Sequence, residues 1–183
     1  ATFVGCAALT NVVFQDTVAT FYGQNNHFQN CSSLVNVTLP GITAPSGHVV
    51  SGGGGAKDWS STFRDCLVLT NAFTIPDDVK RLTQTFDGSK CIRGVTLGKS
   101  VRQIGNFSNS ESAFTDNRAL EFVDMSATTN LTDIGQLNFS SCQALRELAI
   151  PTPVTNIGRE AFIVLTVVRG RHSIALSPEI HDT

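Results

Sequence analysis

Apolar residues recur along this chain in one fixed order: a phenylalanine, an aliphatic residue six positions on, another after three more, and a last after two. In the copy that begins at Phe139 these are Leu145, Leu148 and Ile150. Phe28 leads in the same way to Leu34, Val37 and Leu39, Phe86 to Ile92, Val95 and Leu97, and Phe114 to Leu120, Val123 and Met125. Phe3 leads to Leu9, Val12 and Phe14, and Phe63 leads to Leu69 with one residue inserted before Phe73 and Ile75. Phe162 opens a seventh copy that decays after Val168. A second apolar run follows three of the copies, as Val101-x-x-Ile104-Gly105, Leu131-x-x-Ile134-Gly135 and Val154-x-x-Ile157-Gly158.

The intervals between the leading phenylalanines are 25, 35, 23, 28, 25 and 23 residues. A minimum period that lengthens now and then, with the apolar positions back in register after each insertion, is the mark of a solenoid whose insertions are loops. Within a copy, Leu148-Ala-Ile150 alternates apolar and polar, which predicts a short strand with Leu148 and Ile150 inward and Glu147 and Ala149 outward. Proline follows the strand at Pro40, Pro76 and Pro151 and turns the chain, since it has no amide hydrogen for pairing. The glycine of the second run predicts a tight bend, and Arg159 to Phe162 leaves room for no more than a helical turn. One such unit cannot bury its own apolar face, but copies stacked about 4.8 Å apart in a parallel ladder can.

The combined pattern, F-x-x-C-x-x-L-x-x-V-x-L-P followed by V-x-x-I-G, resembles the BspA-like subfamily of leucine-rich repeats from Phe3 to about Val168. Asn117 and Leu165 depart from it at the cysteine, Ser89 stands there with Cys91 two positions on, and no glycine follows Leu82. The resemblance implies a right-handed leucine-rich-repeat solenoid, with a parallel β-sheet on one face and short strands, turns or helical turns on the other. It also implies a cell-surface or secreted protein concerned with adhesion, without enzymatic activity.

A single domain over residues 1–183 accommodates all seven copies, with 169–183 as a candidate C-terminal cap. Ala1 leads straight into a repeat, so the stack is expected to continue into a neighbouring segment or to associate end to end. Charged residues make up 15% and the formal net charge is −2, so no basic stripe is available to neutralise phosphates and nucleic acid is not an expected partner. The apolar run Ile163 to Val168 is far short of the ~20 residues of a membrane-spanning helix. Sequons at Asn30, Asn36, Asn106, Asn130 and Asn138 lean towards a secreted chain, although Asn36 and Asn138 fall beside tightly packed positions.

Cys6, Cys31, Cys66 and Cys142 each lie three residues after a leading phenylalanine, which predicts a column of small, buried free thiols and not a disulfide framework. No C-x2-C pair or histidine ligand spacing is present, so neither a metal nor a cofactor is expected. The run from Ser51 to Asp58 fails as a phosphate loop, because Ala56 precedes Lys57 and Asp58 follows it. It reads instead as the insertion behind the 35-residue interval, with Trp59 at its end either packing the loop or serving as a loop anchor for a partner. Carboxylates at Asp77, Asp78, Asp116, Asp124 and Glu147 are expected on a solvated face.

The outward strand residues then become the candidate binding face, with Asn36, Thr38, Thr96, Phe122, Asp124, Ser126 and Glu147 as its members. Phe122 is the exposed aromatic of the set: an anchor, or a cover for a neighbouring segment. Seven stacked strands would carry this face about 30 Å along the axis. The expected partner is a host, matrix or receptor protein, with a glycan as the second candidate. The alternative role is a structural spacer within a larger surface protein.

Overall fold

A computed structural model describes residues 3–14, 26–38, 58–77, 79–107, 111–163 and 173–175. In chain order its strands are β1 (Asn11–Val13), β2 (Asn36–Thr38), β3 (Asp58–Ser60), β4 (Ala72–Thr74), β5 (Arg81–Thr83), β6 (Gly94–Thr96), β7 (Gln103–Ile104), β8 (Phe122–Asp124), β9 (Asp133–Ile134), β10 (Glu147–Ala149), β11 (Asn156–Ile157) and β12 (Ser173–Ala175). They form a parallel β-solenoid of about five turns, and no helix is present among the described residues.

The three-residue spacing at the head of each copy comes from paired turns. Phe28 O accepts the amide of Cys31 at 3.1 Å, and Cys31 O accepts that of Leu34 at 3.0 Å. The coils that start at Phe3, Phe63, Phe114 and Phe139 repeat both bonds. Turns closed between residues three apart bring side chains i, i+3 and i+6 to one side, so F-x-x-C-x-x-L delivers its three named residues to the core. The residue two after each leading phenylalanine has φ between +58° and +71° at Gly5, Asn30, Asp65, Gly88, Asp116 and Ser141. Those are the residue types that occupy the left-handed region at least cost.

After the turns the period changes to two, and the chain enters the front run of strands. Three parallel ladders make it up: β1 with β2, then β4, β6 and β8, then β10 with β12. β8 lies beside β10. Between β2 and β4 the inserted residue is Asn71. Its side chain accepts the Val37 amide at 3.1 Å and donates to the Asn36 side chain, bridging the gap that its insertion makes in the backbone ladder.

The second apolar run forms strands of its own. β3, β5, β7, β9 and β11 make a parallel five-stranded back sheet, where a bend and a helical turn are expected from the sequence. The glycines that follow serve the stacking of the coils. A Cβ on Gly135 would lie 2.4 Å from Asn106 N of the coil before, and one on Gly158 would lie 2.4 Å from Gln136 N. Residues 173–175, inside the segment expected to cap the stack, pair in register with β10 as one more rung.

Between front and back lie columns of buried side chains. All seven leading phenylalanines stack ring on ring, with centroids 5.2–5.7 Å apart and planes within 13° of parallel. The 35-residue interval does not interrupt them, since Phe28 and Phe63 sit 5.4 Å apart at 1°.

The cysteine column is a column of hydrogen-bond donors, not the merely small and apolar one expected. Cys31 Sγ donates to Phe3 O at 2.9 Å, Cys66 Sγ to Phe28 O at 3.0 Å, and Cys142 Sγ to Phe114 O at 3.1 Å. The departures from cysteine keep the bond: Asn117 Nδ2 donates to Phe86 O at 2.7 Å and Ser89 Oγ donates to Phe63 O. Each of these phenylalanine carbonyls thus takes one donor from its own turn and one from the coil that follows. All five cysteines are free thiols; Cys31, Cys66 and Cys142 are buried, Cys6 is exposed, and Cys91 is intermediate.

Two stability experiments follow. Phe114 is fully buried with a stacked ring on each side, so Phe114→Ala is expected to cost about 3–5 kcal/mol in denaturant unfolding. Phe162→Ala, at a partly buried position, should cost less, and equal losses would contradict the stack as the main support. At Cys142, Ser preserves a donor and Ala removes it, so the Ser variant should be more stable than the Ala variant by about 1 kcal/mol. Burial pushes the thiols of Cys66 and Cys142 from 9.0 up to about 12, so both stay protonated in the fold where the unfolded chain ionises. Their contribution is complete below pH 9.0 and is lost as pH rises towards 12; in the double Ser variant the alkaline fall in stability should be shallower.

Candidate functional site

The pleat of the front run sends alternate residues outward, and parallel in-register pairing sets them in rows. In the central ladder one row holds Ala72, Gly94 and Phe122, and the next holds Thr74, Thr96 and Asp124. In the first ladder the corresponding pairs are Asn11 with Asn36 and Val13 with Thr38. The residues between the rows, Val37, Phe73, Val95, Val123 and Leu148, are all buried, as the alternation requires.

Each expected face residue has a defined place. Thr38 and Thr74 are exposed, and Thr96 is half-buried beside them. Asn36 is half-buried and tied to Asn71. Asp124 accepts the Ser126 amide at 2.9 Å, and that bond holds its carboxyl below the usual carboxylate range. Asp124 therefore closes the turn after β8, with Ser126 exposed at that turn. Glu147 opens β10, and its side chain lies outside the described residues.

Phe122 is 44% exposed, and its ring lies across the neighbouring strand: a Cβ built on Gly94 would meet Phe122 Cζ at 2.2 Å. The aromatic ring occupies the space above a residue that has no side chain, a cross-strand cover that stabilises a sheet at glycine. One ring face serves that purpose while the rest remains in solvent.

Trp59 is corrected by the structure. It is the central residue of β3, 1% exposed, paired in register with Leu82 and set edge-on to Phe63 at 6.1 Å. It fills the aliphatic position that Leu82, Ile104 and Ile134 fill in later coils, so its indole is core and not a loop anchor for a partner. The sequence carried a signal for this: Trp59 precedes Phe63 by four residues, as Leu82 precedes Phe86. The glycine-rich segment before it lies outside the described residues.

The remaining polar groups have structural partners. Asp58 binds Arg81 across the back sheet, Asp77 binds Lys99 at 2.9 Å, and Asp116 binds Arg118 at 2.8 Å. Asp87 lies 3.4 Å from Arg64, yet burial raises its carboxyl above the ordinary value, with Asp65 and Asp116 adding to the rise. Asn138, a sequon residue, is fully buried and its Oδ1 accepts the Ala113 amide at 2.7 Å, which leaves no room for a glycan. His27 is buried, and His48, His172 and His181 lie outside the described residues. Among the described residues no group of three or more His, Cys, Asp or Glu side chains is placed to hold a metal, and no helix is long and apolar enough to cross a membrane. What the arrangement offers chemically is a face of short hydroxyls and one half-covered aromatic ring on a stiff sheet.

Comparison with known proteins agrees with this architecture. The family of BspA type leucine rich repeat regions matches residues 1–46 and 59–168 in six copies. No curated protein matches the chain. A leucine-rich repeat protein from Bacteroides ovatus ATCC 8483 superposes with a TM-score of 0.62 at 21% identity, over 84% of this chain and 35% of that structure. A leucine rich cell surface protein from Faecalibacterium prausnitzii A2-165 gives a TM-score of 0.46 at 22% identity, over 87% of this chain and 52% of that one. The chain therefore spans only part of the length of either structure. With its repeat pattern matched over most of its length, this chain belongs to the BspA-type leucine-rich-repeat family.

Proposed function

We propose that this chain is a non-enzymatic protein-binding module of a surface or secreted protein, and that it binds through the front run of strands. The observation that carries the reading is the row of Thr38, Thr74 and Thr96. These hydroxyl side chains stand on successive strands of a rigid parallel stack, at exposed or half-exposed positions. Ordered rows on a solenoid provide the extended surfaces with which repeat proteins recognise macromolecules, and leucine-rich repeats are typically binding scaffolds without enzymatic activity. Adhesion and a surface location rest on family membership, an argument by association. A specific observation favours the spacer alternative: Asn36, Phe122 and Asp124 all have structural duties within the stack.

The two readings part in one experiment. The chain is applied to arrays of purified matrix and cell-surface proteins and, in parallel, to glycan arrays. A protein ligand is expected, with affinity reduced about tenfold or more, at least 1.4 kcal/mol, by Thr74→Arg with Thr96→Arg and unchanged by Thr83→Arg on the back sheet. Circular dichroism and unfolding midpoints of the variants should match the parent. Loss of binding with the back-sheet variant alone, or no protein ligand in the arrays, would favour the spacer. Phe122→Ala is a poor probe, because it also uncovers Gly94.

A further inference from the structure

Each internal coil presses one flank against the coil before it and the other against the coil after it, and the two flanks are not equivalent. The flank towards the chain start carries the side-chain donors. Cys31, Cys66, Ser89, Asn117 and Cys142 all donate backwards, to a phenylalanine carbonyl of the preceding coil. The flank towards the chain end carries the acceptors, which are those carbonyls. Every internal contact is therefore donor to acceptor, with a phenylalanine ring stacked on a phenylalanine ring.

The first coil presents the donor flank to solvent. Cys6 is exposed, whereas its equivalents Cys31, Cys66 and Cys142 are buried. Phe3, Leu9 and Val12 are only partly buried, whereas Phe28, Leu34 and Val37 in the next coil are buried. β1 pairs only with β2 and leaves a parallel strand edge open beside them. At the other end Phe162 is partly buried with one ring face on Phe139 at 5.5 Å, and Ile157, whose equivalents are core, is 39% exposed.

From this we infer that the first coil is a docking surface for the last coil of a second copy of this chain, head to tail. The contact would repeat the internal one: the Phe3 ring on Phe162 of the partner copy, and the Cys6 thiol towards the carbonyl of that residue. Continuity with six internal contacts of the same kind argues for this occupant. The one-way donor column argues against two first coils meeting face to face, since donor would then oppose donor. A head-to-tail contact is heterologous and stays open, so it builds chains of copies and not closed dimers. The inference stands apart from the proposed binding function, because the front strands play no part in it.

Sedimentation velocity of the 183-residue chain tests it. The expected result is a mass average that climbs with concentration past two copies. Cys6→Arg, which sets a charge on the exposed flank, should abolish the climb, while Val68→Arg, at an exposed lateral position, should leave it intact. Because the arginine variant could fail to fold, the same block is made after folding. In a Cys91→Ser background, a bulky maleimide reaches the exposed Cys6 and not the three buried thiols, and it should return the protein to a single-chain mass. A single-chain mass for the parent at every concentration would overturn the inference. So would a mass that stops at two copies, or association that survives the maleimide.

Discussion

The backbone carbonyl of each leading phenylalanine is where the coils of this protein are joined. It has two lone pairs, and in the described coils both are used, one by the amide three residues on and one by a side chain of the next coil. The first bond shapes the turn and the second sets how the next turn sits on it. Because the carbonyl belongs to the residue whose ring is stacked, hydrogen bonding and aromatic packing locate the same point of each coil. An unpaired donor or acceptor at this depth would cost about 1–3 kcal/mol, which makes the column selective for donors more than for sulfur. Cysteine, serine and asparagine can all serve there. The ring column shows no such freedom, since every described position in it is phenylalanine.

That junction explains how the chain tolerates insertions. A coil needs its turn, its front strand and its back strand in place, and whatever lies between them is free to lengthen provided that the ring and the donor return to register. The 35-residue interval leaves the stack of Phe28 on Phe63 undisturbed. Asn71 shows the same tolerance within a coil, where one added residue breaks the backbone ladder and its own amide group restores the link. The front rows inherit this regularity. Their residues are presented at fixed heights on a backbone held from behind, an arrangement suited to contact with another macromolecule.

The periods were legible before any coordinates, because burial on one side of a turn or a strand imposes spacings of three and two on the apolar residues. The parallel stack and the inward set at Leu148, Ile150 and their equivalents follow from those spacings alone. The second run was harder. In Val154-x-x-Ile157-Gly158 two apolar residues fit a bend as well as a two-residue strand, and only pairing with β9 distinguishes them. The left-handed position was readable in hindsight, since Gly, Asn, Asp and Ser recur two residues after the ring. Trp59 misled because it stands next to a glycine-rich run, and its equivalence to Leu82 shows only when the count is taken backwards from the phenylalanine.

What the sequence determined by itself was the coil: its length, its inward residues and its need of neighbours, because each depends on local spacing and on the water-avoidance of side chains close together in the chain. What only the tertiary structure decided was the use to which single residues are put across coils some 23 to 38 positions apart. That a thiol, a hydroxyl and an amide perform one task, that Phe122 shelters Gly94, and that Asp124 closes a turn while facing outward are facts of contact between coils. Such contacts depend on distances of 2.7–3.2 Å between groups far apart in sequence. A spacing pattern can place those groups in the same row, but the direction in which each side chain turns is settled only when the next coil is laid against it.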